Sequence, residues 1–275
     1  MTIIQIGHSP DPDDAFMFYA LTAGKVQVKG CEIRHVLGDI ESLNRRARTA
    51  ELEITAISAA TYAMVADQYR VMDTGASMGK GYGPILVARQ PMDPEEIPGR
   101  SVAVPGRYTT AALLLRLYCG DPPFIEVTFD QIPQAVLEGR AELGLLIHEG
   151  QITYEAMGLH KVLDLGKNWE GQTRLPLPLG INVVRRDLGG AMGATLSKAL
   201  RRSIEYAHSH EDEALEYAMQ FGRGIDKETC RRFVLMYVNN YTVTLGAEGQ
   251  QALERLFSSA QAKGFIPEIP LLDPV

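Results

Sequence analysis

His148 is the residue on which chemistry would turn. It follows Leu143-Gly144-Leu145-Leu146-Ile147, an apolar run set between two stretches of helical pattern, Ile132–Arg140 and Gln151–Met157. A short apolar run in that setting predicts a strand buried on both faces, as in a parallel sheet. Open α/β sheets place their ligand crevices at the carboxyl ends of such strands. Histidine as a residue type titrates near neutrality and can move a proton there, although a satisfied, partly buried histidine also fits the position. Helix starts at Asp11, after Ser58 and at Thr109 would face the same crevice. Helix amino termini attract anions through their free N–H groups. Asp11, Asp13 and Asp14 would oppose an anion at the first start. Ser58 and the pair Thr109-Thr110 would welcome one, with Arg107 beside the threonines and Gly106 allowing close backbone approach. The expectation is a carboxylate held by Thr109, Thr110 and Ser58, and the alternative is ordinary N-capping by the same residues.

Other clusters point away from metals and phosphates. In Ser9-Pro10-Asp11-Pro12-Asp13-Asp14, Asp11 would cap a helix, Pro12 would be its first residue and Asp14 its third. Acids in a first turn also complement the helix dipole. The D-x-[DN]-x-[DN]-G pattern of a calcium loop is absent, so capping is preferred to a metal site. The stretch Gly75–Gly83 lacks the G-x-x-x-x-G-K-[ST] spacing of a phosphate cradle. His208 and His210 fall at a helix end and read as solvated rather than as ligands.

Composition narrows the function class. The 275 residues are 45% apolar and 22% charged, a soluble globular balance. The net charge of −7, from 27 basic and 34 acidic residues with no basic run, excludes a nucleic-acid surface. Cys31, Cys119 and Cys230 are far apart, which suggests neither a disulfide framework nor a CxxC metal site and fits a reducing cytoplasm. The chain opens into the apolar strand Ile3–Ile6 without a basic leader, and no run approaches the roughly 18 apolar residues of a membrane span. A cytoplasmic protein with no membrane partner is expected.

The elements that must position His148 follow a β-α rhythm. Strands are predicted at Ile3–Ile6, Cys31–Leu37, Glu53–Ile57, Tyr69–Met72 and Pro84–Arg89, with helices over Pro12–Leu21, Asp39–Ala47 and Ala59–Gln68. After the linker Pro91–Pro98 the rhythm restarts, with strands at Ser101–Val104, Ile125–Phe129, Leu143–His148 and Lys161–Leu165. Leu175-Pro-Leu-Pro-Leu-Gly180 forces extended backbone into a return strand Ile181–Arg186, and the remainder is helical. This order predicts an α/β protein of two lobes, a clamshell with two interdomain crossovers. Residues 1–90 and 184–275 would form the larger lobe and 91–183 the smaller, with the site between them.

Ordered blocks then carry a resemblance. Ser9-Pro-Asp-Pro-Asp-Asp14 with Phe16 and Phe18-Tyr19-Ala20-Leu21, Asp39-Ile-Glu-Ser-Leu-Asn44, Val104-Pro-Gly-Arg-Tyr-Thr-Thr-Ala111, Leu146-Ile-His-Glu149 and Leu175-Pro-Leu-Pro-Leu-Gly180 resemble the 1,4-dihydroxy-6-naphthoate synthase family of menaquinone biosynthesis. The likeness runs from residue 3 to about 265. It implies a periplasmic-binding-protein-like (type II) fold acting as a cytoplasmic lyase. The implied substrate is cyclic dehypoxanthinyl futalosine, a carboxylated small molecule, and the implied product is the naphthoate. His148 matches the family's proton acceptor; Ala56, Ile57, Ser58, Thr109 and Thr110 match its substrate contacts, and Ser9 and Arg107 join them as candidates. Relatives resembling this chain carry Cys-Pro-Asn-Asp at Asp11–Asp14 and Lys at Ala56, which leaves the charge partner of the substrate carboxylate open.

The implied reaction removes a proton beside a carbonyl or hydroxyl, cleaves a C–C bond and gains aromaticity. One neutral imidazole can serve as its base, with neither metal nor cofactor expected. Glu149 would orient that imidazole or face solvent. Lobe closure would exclude water from the reacting centre. The rival readings are a non-catalytic solute-binding protein for a small carboxylate and the sister chorismate dehydratase on a similar fold. Leu146-Ile-His-Glu149 favours the naphthoate synthase over the latter.

Overall fold

The computed structural model describes residues 1–148, 150–222 and 224–275 as two sheets with helices packed against them. The first sheet runs β2 (Cys31–Leu37), β1 (Thr2–His8), β3 (Ile54–Ser58), β11 (Leu177–Arg185), β4 (Tyr69–Val71), with β5 (Ser77–Gly79) also on β11. The second runs β10 (His160–Asp164), β6 (Ile85–Ala88), β9 (Leu143–Leu146), β7 (Val102–Val104), β8 (Phe124–Glu126). Each sheet has a parallel part built by β-α-β units: β2-β1-β3 in one and β9-β7-β8 in the other. Each also receives one antiparallel strand from the far side of the molecule, β11 against β3 and β6 against β9.

That exchange corrects the sequence boundaries. β6 falls within the stretch assigned to the larger lobe, yet it pairs with β9 and β10 in the second sheet. β11 was divided at residues 183/184, yet it lies whole in the first sheet. Ile85–Ala88 is buried at every position and would read the same in either sheet; only its long-range partners decide. The crossings between sheets are therefore 80–84 and 165–176. They touch. A Cβ on Gly166 would lie 2.5 Å from the Gly83 nitrogen, so the two backbones meet where neither residue has a side chain. The Leu165 N–H donates to the Pro84 carbonyl at 3.0 Å beside that contact.

The helices are α1 (Pro12–Thr22), α2 (Ile40–Ala47), α3 (Thr110–Cys119), α4 (Ile132–Leu137), α5 (Gly150–Thr153) and α6 (Leu165–Thr173). The carboxy-terminal set is α7 (Gly190–Ser209), α8 (Glu211–Met219), α9 (Lys227–Tyr237), α10 (Asn240–Val243) and α11 (Gly246–Ala262). Asp39 and Asp226 cap α2 and α9 as their spacing predicts, accepting from Ser42 N at 3.0 Å and Thr229 N at 2.9 Å. α1 is buried on all sides, with Phe16, Met17, Phe18, Ala20 and Leu21 packed between the first sheet and α7, α8 and α9. Such an all-round apolar helix belongs to an interior. Between Ala59 and Gln68 the expected helix is a 3-10 segment, Ala59–Met64. There Ala60 N donates to Thr110 Oγ1 and Thr61 Oγ1 to the Tyr108 carbonyl, so contacts with the other lobe replace helical continuation. Among the described residues no helix is long and apolar enough to cross a membrane.

Candidate active site

A cavity of about 700 Å³, counting its open mouth, lies between the two sheets. Ser9 follows β1, Asp13 and Asp14 stand in the first turn of α1, β3 supplies Ala56, Ile57 and Ser58, and β11 adds Asn182. The second lobe supplies Thr109, Thr110 and Ala111 at the start of α3 and His148 with Gln151 after β9. α9 closes it with Tyr237. Ser9, Ala56, Ile57, Ser58, Thr109, Thr110 and His148, all singled out from sequence, thus share one space. Arg107 does not. Its side chain is 59% exposed, lies 3.4 Å from Glu126 and stacks over Phe124. None of the described residues lining the cavity is lysine or arginine.

The wall at the start of α3 is satisfied by the protein itself. Thr109 Oγ1 accepts from Ala112 N at 3.1 Å and donates to the Gly106 carbonyl at 2.8 Å, a true N-cap. Thr110 Oγ1 donates to the Leu179 carbonyl at 2.8 Å and accepts from Ala60 N at 3.1 Å, joining the lobes. Both threonine hydroxyls thus donate to protein carbonyls. The donors left for an anion are the N–H groups of Thr110 and Ala111 in the first helical turn, plus the Ser58 hydroxyl. Ser58 is held by Asn44, which accepts from Ser58 N at 2.8 Å and donates to Ser58 Oγ at 3.1 Å. Gly106 leaves room for Glu41 rather than for a ligand: a Cβ there would lie 2.3 Å from Glu41 Oε2, which accepts from Tyr108 N.

The opposite wall is different. β9 ends at Leu146, and His148 sits on a turn with φ of 52°, a backbone uncommon for a side-chain-bearing residue. Its Nε2 lies 3.8 Å from Asp11 Oδ2, and its Nδ1 is buried without a partner among the described residues. Its ring is stacked with Tyr237 at 6.1 Å and tilted against Phe129 at 4.9 Å. The Gln151 amide, oriented to satisfy both ends, donates to the Gly83 carbonyl and accepts from His148 N and the Tyr237 hydroxyl. Glu149 lies outside the described residues.

The acids of α1 are buried, which corrects the capping assignment. Asp11 occupies the N-cap position but makes no side-chain cap bond; its carboxylate is the one beside His148. Asp14 Oδ2 accepts from Ser9 N at 2.7 Å, and burial pushes its carboxyl up to about 6. Burial, then the neighbouring Asp14 and Asp11, push Asp13 well above the usual carboxylate range, and its Oδ1 has no partner. Among the described residues no group of three metal-ligating side chains converges.

With the fold and cavity in place, similarity decides the family. A family model described as menaquinone biosynthesis matches residues 4–262. The chain belongs to this family. Curated relatives called 1,4-dihydroxy-6-naphthoate synthase match it end to end. The Thermus thermophilus protein is 43% identical, covering 98% of each chain. The Streptomyces coelicolor protein is 34% identical, covering 97% of this chain and 95% of that one. A solved Archaeoglobus fulgidus protein is 51% identical with a TM-score of 0.92, covering 96% of this chain and 98% of that one. The alkanesulfonate-binding protein of Xanthomonas axonopodis has a TM-score of 0.73 at 10% identity, covering 99% of this chain and 96% of that one. At that identity the likeness is one of fold, and the fold is the periplasmic-binding-protein-like one that the family resemblance implied.

Sequence reasoning missed several cavity residues of this family member. Asn182 is 1% exposed, and its Oδ1 has no partner. Gln151 and Tyr237 were also missed as cavity groups, and Asp13 was expected at the crevice only as a helix-start acid, not as a buried group. One signal was available: Asp13-Asp14 open a helix, Pro12–Thr22, with almost no polar face on which to solvate them.

Proposed function

We propose that this protein is the lyase that converts cyclic dehypoxanthinyl futalosine to 1,4-dihydroxy-6-naphthoate in menaquinone biosynthesis, working in the cytoplasm with His148 as proton acceptor. The observation that carries the reading is that His148, Ser58 and the start of α3, set far apart in sequence, line one cavity between the lobes. The substrate carboxylate rests on the Thr110 and Ala111 N–H groups and the Ser58 hydroxyl, in a ring of neutral donors aided by the helix dipole. The aromatic portion then extends toward His148, Tyr237 and Phe129. Neutral His148 takes the proton, and the imidazolium that forms is stabilised by the Asp11 carboxylate at 3.8 Å. Aromatisation of the product supplies driving force, so positioning and one base suffice for the proton step.

The test is direct. Purified protein is incubated with the cyclic substrate and the naphthoate is followed by its absorbance and mass. Turnover supports the lyase. Tight binding of unchanged substrate sinks it in favour of a solute-binding role.

A further inference from the structure

The lyase reading uses His148 and leaves Asp13 unexplained. Asp13 is 4% exposed, lines the cavity, and carries an Oδ1 with no partner. Buried polar atoms are almost always paired, so an orphan on a cavity-lining side chain leaves a group for a ligand to satisfy. Asn182 makes the same point independently. It lines the same cavity and is 1% exposed; its Nδ2 donates to the Gly75 carbonyl at 2.9 Å, while its Oδ1 is buried with no partner among the described residues.

Two further facts bear on the charge of Asp13. The cavity is to hold a carboxylate, yet no lysine or arginine is among the described residues lining it. A second ionised acid there, beside Asp11 and Asp14, would repel the ligand and lack compensation. The titratable groups that face Asp13 are Asp11 and Asp14 on α1, His148 from the other lobe, Tyr82 from the crossing 80–84 and Cys230 from α9. Asp14 already accepts Ser9 N, and Asp11 already adjoins the imidazole. Asp13 is the member of the trio that remains to hold a proton.

We infer that Asp13 is kept as a neutral carboxylic acid and donates a hydrogen bond to the substrate oxygen that gains negative charge as His148 removes the proton. An acid that holds its proton so firmly is a poor proton donor at neutral pH but a permanent hydrogen-bond donor. A carboxylic acid kept neutral by an apolar site can stabilise an oxyanion in this way. Asp13 transfers no proton in this role; it keeps O–H bonded throughout. Its group acts on the oxygen while His148 acts on the hydrogen, from opposite lobes. This inference rests on the lyase reading above.

Three variants and a pair of infrared spectra test it. Asp13→Ala should lower kcat by roughly 10²–10³-fold, the usual loss for one oxyanion donor. Asp13→Asn keeps a neutral N–H donor and should recover most of that loss, remaining a few-fold below wild type. Any alkaline fall of the wild-type rate that comes from ionisation of Asp13 should vanish in Asp13→Asn, because the amide does not ionise. An alkaline fall unchanged in Asp13→Asn overturns the inference, as does an Asp13→Ala enzyme no slower than Asp13→Asn. If the fall vanishes in Asp14→Asn instead, the proton belongs to Asp14 and the inference fails. Should the alanine variant not fold, infrared spectra of wild type and Asp13→Asn decide at neutral pH. A protonated-carboxyl carbonyl band present only in the former supports the inference, and its absence overturns it. That band needs no turnover, so failure of the lyase reading, seen as no naphthoate from wild type, is distinguishable from failure here.

Discussion

The two walls of the cavity obey opposite rules. At the start of α3, the threonine hydroxyl protons and the Asn44–Ser58 pair are spent on protein partners, and the ligand is left with backbone N–H groups and one serine hydroxyl. Around His148 and α1, polar atoms are buried without partners and carboxyl groups are pushed out of their usual range. A satisfied wall is rigid and fixes where a substrate lies. An unsatisfied wall is costly in the empty protein, because each orphan forgoes about 1–3 kcal/mol, and that cost is relieved when the right ligand arrives. Positioning and chemistry are thus assigned to different walls, each built from both lobes, and to different states of hydrogen bonding.

The comparison breaks first at His148. His148→Asn should fold and bind but lose roughly 10²–10⁴-fold in turnover; near-normal turnover in a well-folded variant removes chemistry from that wall. Next is Asp11→Asn. Loss of a charge 3.8 Å from the imidazole should slow turnover roughly 10–100-fold through the less stabilised imidazolium. Its melting temperature should show no loss of a cap bond, since none is made. On the satisfied wall, Thr110→Val strips partners from the Leu179 carbonyl and Ala60 N–H and should cost about 1–3 kcal/mol of stability, read by denaturant melts. Its KM should rise while kcat stays close to wild type. A loss confined to kcat would mean that the two walls are not separate in function.

A pH series sharpens the contrast. Burial holds the Asp14 carboxyl at about 6 in the folded protein, against an ordinary value of 3.8. The folded state therefore binds the proton more tightly. Its relative stabilisation is complete below the lower value and lost as pH rises through the upper one. The melting temperature of Asp14→Asn relative to wild type should accordingly climb between those two values and level off above them. A flat difference would show that Asp14 is not strained by burial. The smallest effect belongs to Asp39→Ala. Its side chain does cap α2, so about 0.5–2 kcal/mol of stability should go, with turnover untouched.

Asp39 and Asp11 also show what could be read from the chain. Both are aspartates at an N-cap position, and local spacing places both helices correctly. Only the fold reveals that Asp11 turns toward a histidine more than a hundred residues away in the chain. Cys31–Leu37 and Lys227–Tyr237 were legible because their signals are local: alternating or 3.6-residue apolar patterns with a cap beside them. α6 was missed because Leu165 and Trp169 are its buried large residues and Gly166 and Gly171 interrupt it. Ser58, Thr109, Thr110 and His148 were found because helix starts, strand ends and family blocks mark them. Asn182, Gln151 and Tyr237 carry no such mark; their convergence depends on β11 and α9 returning to the first sheet.

The contact between Gly83 and Gly166 has a mechanical meaning. Two separated straps would resist bending and leave each lobe free to shear against the other. Here the two connections are pressed together at a point where neither has a side chain, tied by Leu165 and Pro84 and reached by the Gln151 amide. Such a junction would serve the two lobes as a single pin, and rotation about it would part Asp11 from His148 and bring the carboxylate back to the imidazole along one arc.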